Sequence, residues 1–338
     1  MRLYLPLLIL SAALSPLLAA ETHKWIPDQY YKTFSHGHAV GMRIKPGDIV
    51  VTKTIDSGGF DFNGEQKASG PGGNPLTGPV YIEGAEPGDA VVVKLRKVRL
   101  NRKTGNSAYR LGTYSVLSEY VESFYPNHYK MDLVRPGRDS SIPWDLDLER
   151  NTVKLREPIS SKIKLEFPAR PMLGCIGVAA AGDFVPTSGP AGPYGGNLDY
   201  NEIGEGATVI LPVYHAGGLL FMGDGHALMA DGEPTGTGVE TSMDVEFSVE
   251  LKKAARVTGP RLETADSIIS IGAQAEFVSA LNQGLQIATT DMVKWLINDY
   301  QLEPWAAHQL IGAVGKYDVV TVAGTVALRI PKKYLEAR

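Results

Sequence analysis

Apolar and polar positions alternate in several short runs along this chain, and each run is entered through a turn. Residues 47–56 carry Ile-Val-Val-Thr-Lys-Thr-Ile behind a Pro46-Gly47-Asp48 turn, a β-branched composition that predicts a strand. Residues 87–100 repeat the device: Pro87-Gly88-Asp89 leads into an apolar run that ends by alternating apolar with basic residues, as a strand with one wet face does. Gly204-Glu205-Gly206 opens another such run, and Met243 to Leu251 alternates again. Glycine-rich loops at 57–59, 70–78 and 189–197 lie between them. Up to about residue 255 the pattern predicts a mainly β fold with a sandwich- or barrel-like core.

The texture then changes. Residues 291–301 show helical spacing, with Thr289 or Thr290 as N-cap. Residues 303–314 predict a second helix, with Pro304 in its first turn and Gly315 just past its end. Residues 267–277 and 319–330 read as strands. The expected organisation is a β-rich core over 21–255 and a small C-terminal α+β subdomain over 256–338 that completes the same unit. Trp295, Leu296 and Trp305 are expected in the core.

The first 20 residues change the picture of where the chain works. Arg2, an apolar run from Leu3 to Leu18 broken by Ser11, Ser15 and Pro16, and a small-residue end at Leu18-Ala19-Ala20 have the layout of a cleavable secretory signal. A spanning helix needs about 20 apolar residues, so the expectation is a secreted or periplasmic protein with no membrane association after cleavage, the alternative being an uncleaved N-terminal anchor. With 338 residues, 37 glycines and 22 prolines, the chain can bury a sizeable core and is rich in turns. A net charge of −4 gives no basic excess, which argues against a nucleic-acid partner. Cys175 is the sole cysteine, so no intrachain disulfide supports an exported fold.

The candidate chemistry is concentrated in residues 223–240, where Asp224, His226, Asp231, Glu233 and Glu240 are spaced by five glycines and one proline. So much glycine predicts tightly turning backbone, and turning backbone with carboxylates and an imidazole suits a divalent-metal or acid/base site. Asp224 and His226 stand two apart, which in extended chain puts both on one face. The alternative is a polar hairpin whose carboxylates only face water.

Seven segments, in order, resemble the acetamidase/formamidase family of amide hydrolases. They are Lys45 to Asp48, Thr54 to Gly59, Gly73 to Pro79, Ile82 to Asp89, Leu173 to Val178, Gly195 to Asp199 and Gly223 to Glu240. The resemblance implies a mostly β fold with a small α+β part, and hydrolysis of short amides to carboxylate and ammonia. It also implies a bound divalent metal such as zinc. One departure concerns Asp231: the family has a Gln-Gly pair before it, whereas Met229-Ala230 stand here, which bears on substrate choice rather than on reaction type.

Amide hydrolysis needs an activated water, a stabilised oxyanion and a proton for the departing amine. A divalent metal meets the first two needs and requires roughly three protein ligands and an open position. Asp224 and His226 are the first ligand candidates. Asp56 is the third, at a strand end before Ser57-Gly58-Gly59, with Asp199 as its substitute and Glu240 as a further ligand. Glu233 is the candidate general acid/base, oriented by Asp231 or Glu240, and Asn197 the oxyanion donor. Three carboxylates in this segment can equally cage calcium without catalysis, giving a metal-stabilised extracellular binding module as the second reading. His36, His38 and His215 are supplementary ligand candidates, and Cys175, in a small-residue run, is expected to behave as a buried apolar group. The expected partner is a small amide, and association into a homo-oligomer is left open.

Overall fold

The computed structural model describes residues 20–109, 111–112, 114–117, 141–157, 162–273 and 280–336. The secretory-signal reading, apart from Ala20, lies outside these residues, as do the end of the strand read over 267–277 and His128, which the sequence gives no partner. In chain order the elements begin with β1 (Thr22–Lys24), β2 (Met42–Ile44), β3 (Ile49–Lys53), β4 (Leu76–Ile82) and β5 (Ala90–Leu100). Next come β6 (Thr104–Ala108), β7 (Ser141–Asp147), β8 (Thr152–Leu155), β9 (Glu166–Pro168) and β10 (Met172–Val178). They are followed by β11 (Ala191–Gly192), β12 (Gly195–Asn197), β13 (Thr208–Pro212), β14 (Leu220–His226) and β15 (Met243–Lys252). The chain closes with β16 (Arg261–Glu263), β17 (Ser267–Gly272), α1 (Leu281–Asn298), α2 (Pro304–Val314), β18 (Lys316–Thr321) and β19 (Thr325–Pro331).

The two alternating runs predicted as strands, β5 and β15, pair antiparallel from Met243↔Leu100 to Lys252↔Ala90. They sit inside a nine-stranded sheet of order β1-β3-β15-β5-β13-β16-β17-β19-β18. A six-stranded sheet runs β11-β12-β10-β14-β4-β2, and a smaller one joins β6 to β9. One hydrophobic cluster takes Val91, Val93 and Phe247 from the first sheet and Leu76, Leu173 and Phe221 from the second. The two sheets therefore share a core, as layered β proteins do. The mainly β fold with a C-terminal α+β portion is thus what the chain forms.

Side-chain alternation explains how the C-terminal portion attaches. In β5, Val91, Val93 and Leu95 face the shared core, whereas Ala90 and Val92 join a second cluster with Ala288, Met292, Trp295 and Leu296 of α1. Strands β16 to β19 extend the same sheet, and the helices cover its other face. Gly272 of β17 and Gly284 of α1 allow this: a Cβ on Gly272 would fall 1.8 Å from the Gly284 carbonyl oxygen. Buried Arg261 also reaches α1, donating to both Asp291 oxygens at 2.7 and 2.9 Å.

Several local expectations are corrected. Helix α1 begins at Leu281 rather than near 291, so Thr289 and Thr290 lie within it; Thr289 Oγ1 donates to the Leu285 carbonyl and is not a cap. Trp305 is 69% exposed rather than core, whereas Trp295 and Leu296 are buried. The single strand expected over 319–330 is a hairpin that turns at Val322-Ala323-Gly324. Helix α2 runs from Pro304 with Gly315 at its C-terminus, as the sequence predicts. Among the described residues, no helix is long and apolar enough to cross a membrane.

Candidate metal centre

The site forms across three neighbouring strands of the six-stranded sheet. Cys175 of β10 stands opposite Asn197 of β12 on one side and Gly223 of β14 on the other. The segment read as a tight polar turn from Gly223 onward begins instead as a fully buried strand, Leu220–His226. Its glycines serve close packing: a Cβ on Gly225 would meet Met243 Cγ at 2.5 Å and the Thr241 carbonyl at 2.8 Å. Beyond His226 the chain loops and returns, so that Glu240 bridges back to His226.

Two triads result, Asp224-His226-Glu240 and Asp199-His226-Glu233, and in each the ligand-capable atoms lie within 4.8 Å of one another. His226 belongs to both, so four carboxylates surround one imidazole. Asp199, Asp224, His226 and Glu240 are each at most 4% exposed, whereas Glu233 is half-buried and marks the accessible side. His226 Nε2 lies 3.1 Å from Glu240 Oε1 and 3.6 Å from Asp224 Oδ1. Yet neither ring nitrogen has an aligned hydrogen bond, and Asp199 Oδ1 and Glu240 Oε2 have none either. Polar atoms that approach without bonding one another are directed at a shared centre, and buried groups are otherwise almost always paired.

The cradle is made by what is missing at Gly174. A Cβ there would come within 2.5 Å of Asp224 Oδ2 and closer still to Asp199 Oδ1. Gly238 backs the imidazole in the same way, since its Cβ would lie 2.6 Å from His226 Cγ. Asp199, Asp224 and Glu233 all have positive φ, at 46°, 56° and 46°. Non-glycine residues there cost about 1–3 kcal/mol each and persist only where surroundings over-determine them. Three such residues in one cluster mark backbone shaped for the site rather than for the fold.

The electrostatics follow from this crowding. Burial, then Glu233 and Asp224, push the Asp199 carboxyl well above its usual value. Burial and Glu240 raise Asp224 to about 6, and burial raises Glu233 to about 8. Burial opposes a charged His226, but Glu240 and Asp224 outweigh it and hold its pKa well above the ordinary value. Burial likewise opposes ionised Glu240, yet the imidazole and the Ser57 hydroxyl keep its pKa below the usual carboxylate value. Several acids compete for too few positive partners, which is the condition a divalent cation relieves. The oxygen-rich set with one imidazole fits such an ion.

The remaining predicted residues are distributed unevenly. Asp56 does not bring its carboxylate to the cluster: Arg102 Nη2 donates to Oδ2 at 2.5 Å and the Phe60 amide to Oδ1 at 2.8 Å. It secures the turn that carries Ser57 to Glu240, so its ligand role is corrected to a bracing one. Asp231 is exposed and accepts from Asn201 Nδ2 at 2.7 Å, outside the triads, so it does not orient Glu233 directly. Asn197 Oδ1 accepts from Cys175 Sγ at 2.7 Å and from Asn74 Nδ2 at 3.0 Å. That fixes its amide so that Nδ2 donates to Asp199 Oδ2 at 2.5 Å, leaving Asp199 Oδ1 free. Asn197 therefore first of all orients Asp199. His36 stacks on His215 with centroids 4.3 Å apart, and His38 stacks on Tyr31; neither pair joins the triads.

Cys175 is buried, as the sequence predicts, but it also takes part in the polar network. Its thiol is buried and 4.0 Å from Asp224 Oδ2; burial, then Asp224 and Asp199, push its pKa well above the usual thiol value, which keeps it a donor rather than a nucleophile. Gly174 was missed too, although a glycine inside an apolar strand is itself a sign of close approach. A cavity of about 680 Å³ lined by Arg99, Arg170, Glu202 and Glu205 does not include the triads.

Comparisons with known proteins give relatives by sequence and by structure. Residues 177–268, which hold all five triad residues, match the model of the Acetamidase/Formamidase family. An acetamidase of Mycolicibacterium smegmatis is 25% identical over 221 residues, covering 54% of this chain and 54% of that protein. A formamidase of Methylophilus methylotrophus is 26% identical over 251 residues, covering 62% of this chain and 61% of that protein. The chain thus aligns over little more than half the length of these curated relatives. The likeness in structure is wider: the crystal structure of an acetamidase from Yersinia enterocolitica superposes with a TM-score of 0.75 at 27% identity, covering 95% of this chain and 94% of that one. By its matched segment and by its fold, this chain is similar to the acetamidase/formamidase family.

Proposed function

We propose that the protein hydrolyses short-chain amides of the formamide and acetamide type to carboxylate and ammonia, using a divalent metal held by His226 and its carboxylates. The observation that carries this reading is the set of buried, unbonded donor atoms on Asp199, His226 and Glu240 inside the family's matched segment. Asp224, His226 and Glu240 would hold the ion, with Asp199 Oδ1 completing the donor set. A divalent ion there supplies Lewis acidity to polarise an amide carbonyl and to acidify water. Zinc suits the imidazole, and calcium suits the carboxylates.

Glu233 is the proton carrier. It lies on the accessible side of the cluster, and burial, which an ion bound beside it does not remove, raises its carboxyl above the ordinary value, toward the range where one group can both accept and return a proton. It accepts the proton of the attacking water and delivers it to the departing ammonia, while the buried Asp199 and Asp224 exclude solvent from behind. The layout of residues 1–20 supports export, with action outside the cytoplasm; the mass of the mature protein from fractionated cells checks it, and a retained leader in the cytoplasmic fraction would refute it.

The test is metal content per chain after purification without chelator, followed by ammonia release from formamide, acetamide, longer and cyclic amides. Activity that disappears on chelation, returns on metal addition and ignores thiol alkylation is the expected result. Turnover that survives full metal removal would refute the metal role. Retained metal with no turnover across the series would instead favour the non-catalytic binding module.

A further inference from the structure

Beyond the donor atoms themselves, the cluster is tied to the C-terminal hairpin at two points, and both lie next to residues with positive φ. The first is Tyr200, the neighbour of Asp199. Its buried hydroxyl donates to Asp318 Oδ2 of β18 at 2.6 Å and accepts from Arg329 Nη2 of β19 at 2.9 Å. Arg329 also donates to Asp318 Oδ2 through Nε at 2.8 Å and to Glu202 Oε1 at 3.0 Å. The second is Gly232, the neighbour of Glu233. Its amide donates to the Val320 carbonyl at 3.2 Å, and its carbonyl accepts from the Val322 amide at 2.8 Å, making a parallel bridge to Thr321. One edge strand therefore grips the loop after β12 and the loop after β14 at once.

We infer that the β18–β19 hairpin is the positioning device for Asp199 and Glu233: Tyr200, Asp318 and Arg329 act through Asp199 on the bound ion, and the Gly232 bridge sets the loop that carries Glu233. This rests on the reading of the cluster as a metal site. Asp199 and Glu233 hold unfavourable backbone that only over-determining contacts preserve, and these are the contacts that adjoin them. Supporting groups around ligands typically change metal affinity by about 10–100-fold when removed. The C-terminal α+β portion is then a working part of the site rather than a cover for the sheet.

The test is titration of the full-length metal-free protein with Co²⁺, followed by its visible absorption, which reports ligand geometry. Tyr200→Phe and Asp318→Asn are compared with the parent and with Asp291→Asn, which loosens the same C-terminal portion through the Arg261 pair without touching the grip. Tyr200→Phe keeps the ring's packing and carries the test if Asp318→Asn fails to fold. The expected result is Co²⁺ binding weakened about 10–100-fold with altered bands in the two grip variants, and parental affinity and bands in Asp291→Asn. Parental affinity and bands in Tyr200→Phe would overturn the inference, as would equal losses in Asp291→Asn, which would mean general loosening. A parent protein that binds no Co²⁺ would overturn the metal-site reading itself, and this inference with it.

Discussion

At the scale of single residues, the site is shaped as much by absent side chains as by present ones. Gly174→Ala would place a methyl group among Asp199 and Asp224 oxygens. Overpacking of this kind costs about 1–3 kcal/mol, and here it falls on ligand-capable atoms. The expected outcome is a folded protein, by circular dichroism, that has lost its metal; retention of a full complement of metal would refute the cradle. Glu233→Gln keeps the shape and removes the titrating group, so ammonia release should fall by about 10²–10⁴-fold with metal retained. Undiminished turnover in that variant would remove Glu233 from proton transfer. The candidates that the structure gathers into one cluster, Asp199, Asp224, His226, Glu233 and Glu240, are all ones the sequence offers. Asp56 misled because a strand-end aspartate before Ser-Gly-Gly looks the same whether it meets a metal or an arginine, and Arg102 is 46 residues away. The Asn74–Cys175–Asn197 relay was not legible, since it depends on the pairing of β10 with β12.

At the scale of elements, strands declared themselves better than helices. Alternation in 90–100 and 243–251 is a local signal, and the structure returns both runs nearly residue for residue. The start of α1 lacks a capping side chain, with Ala280 at the N-cap, so nothing in the sequence marked it, and the threonines inside imitated a cap. The helix is held by tertiary contact, chiefly Trp295 packing and the Arg261–Asp291 pair, with the guanidinium carbon 4.7 Å from the Trp295 ring centre. Removing one partner of a buried ion pair strands the other, at about 3–5 kcal/mol. Asp291→Asn should therefore lower the unfolding free energy measured by chemical denaturation by that amount. A loss below about 1 kcal/mol, the range of exposed pairs, would show that the pair is not buried in solution.

At the scale of the whole molecule, the central feature is concentrated negative charge inside a sandwich that has no disulfide to support it. Carboxyls whose pKa is raised on folding bind protons more tightly in the folded state, so their contribution is fully present below the ordinary value and is lost as pH rises through the folded one. For Asp224, from 3.8 to about 6, and Glu233, from 4.5 to about 8, this means that the metal-free protein should lose stability progressively between about pH 4 and pH 8. Glu240, lowered on folding, works in the opposite sense but only at the acid end. A bound divalent ion needs deprotonated ligands, so added metal should raise the melting temperature most at pH 8 and least near pH 5. Melting curves with and without metal across that range check the sign; a metal-free protein that grows steadily more stable up to pH 8 would contradict it.

The most direct measurement is an anomalous difference map, collected at the absorption edge of the metal that elemental analysis identifies, from crystals grown without chelator. A single strong peak within about 2.0–2.6 Å of His226 and the Asp224 and Glu240 oxygens is the predicted result. A map with no peak at His226 in protein that hydrolyses amides would contradict the account.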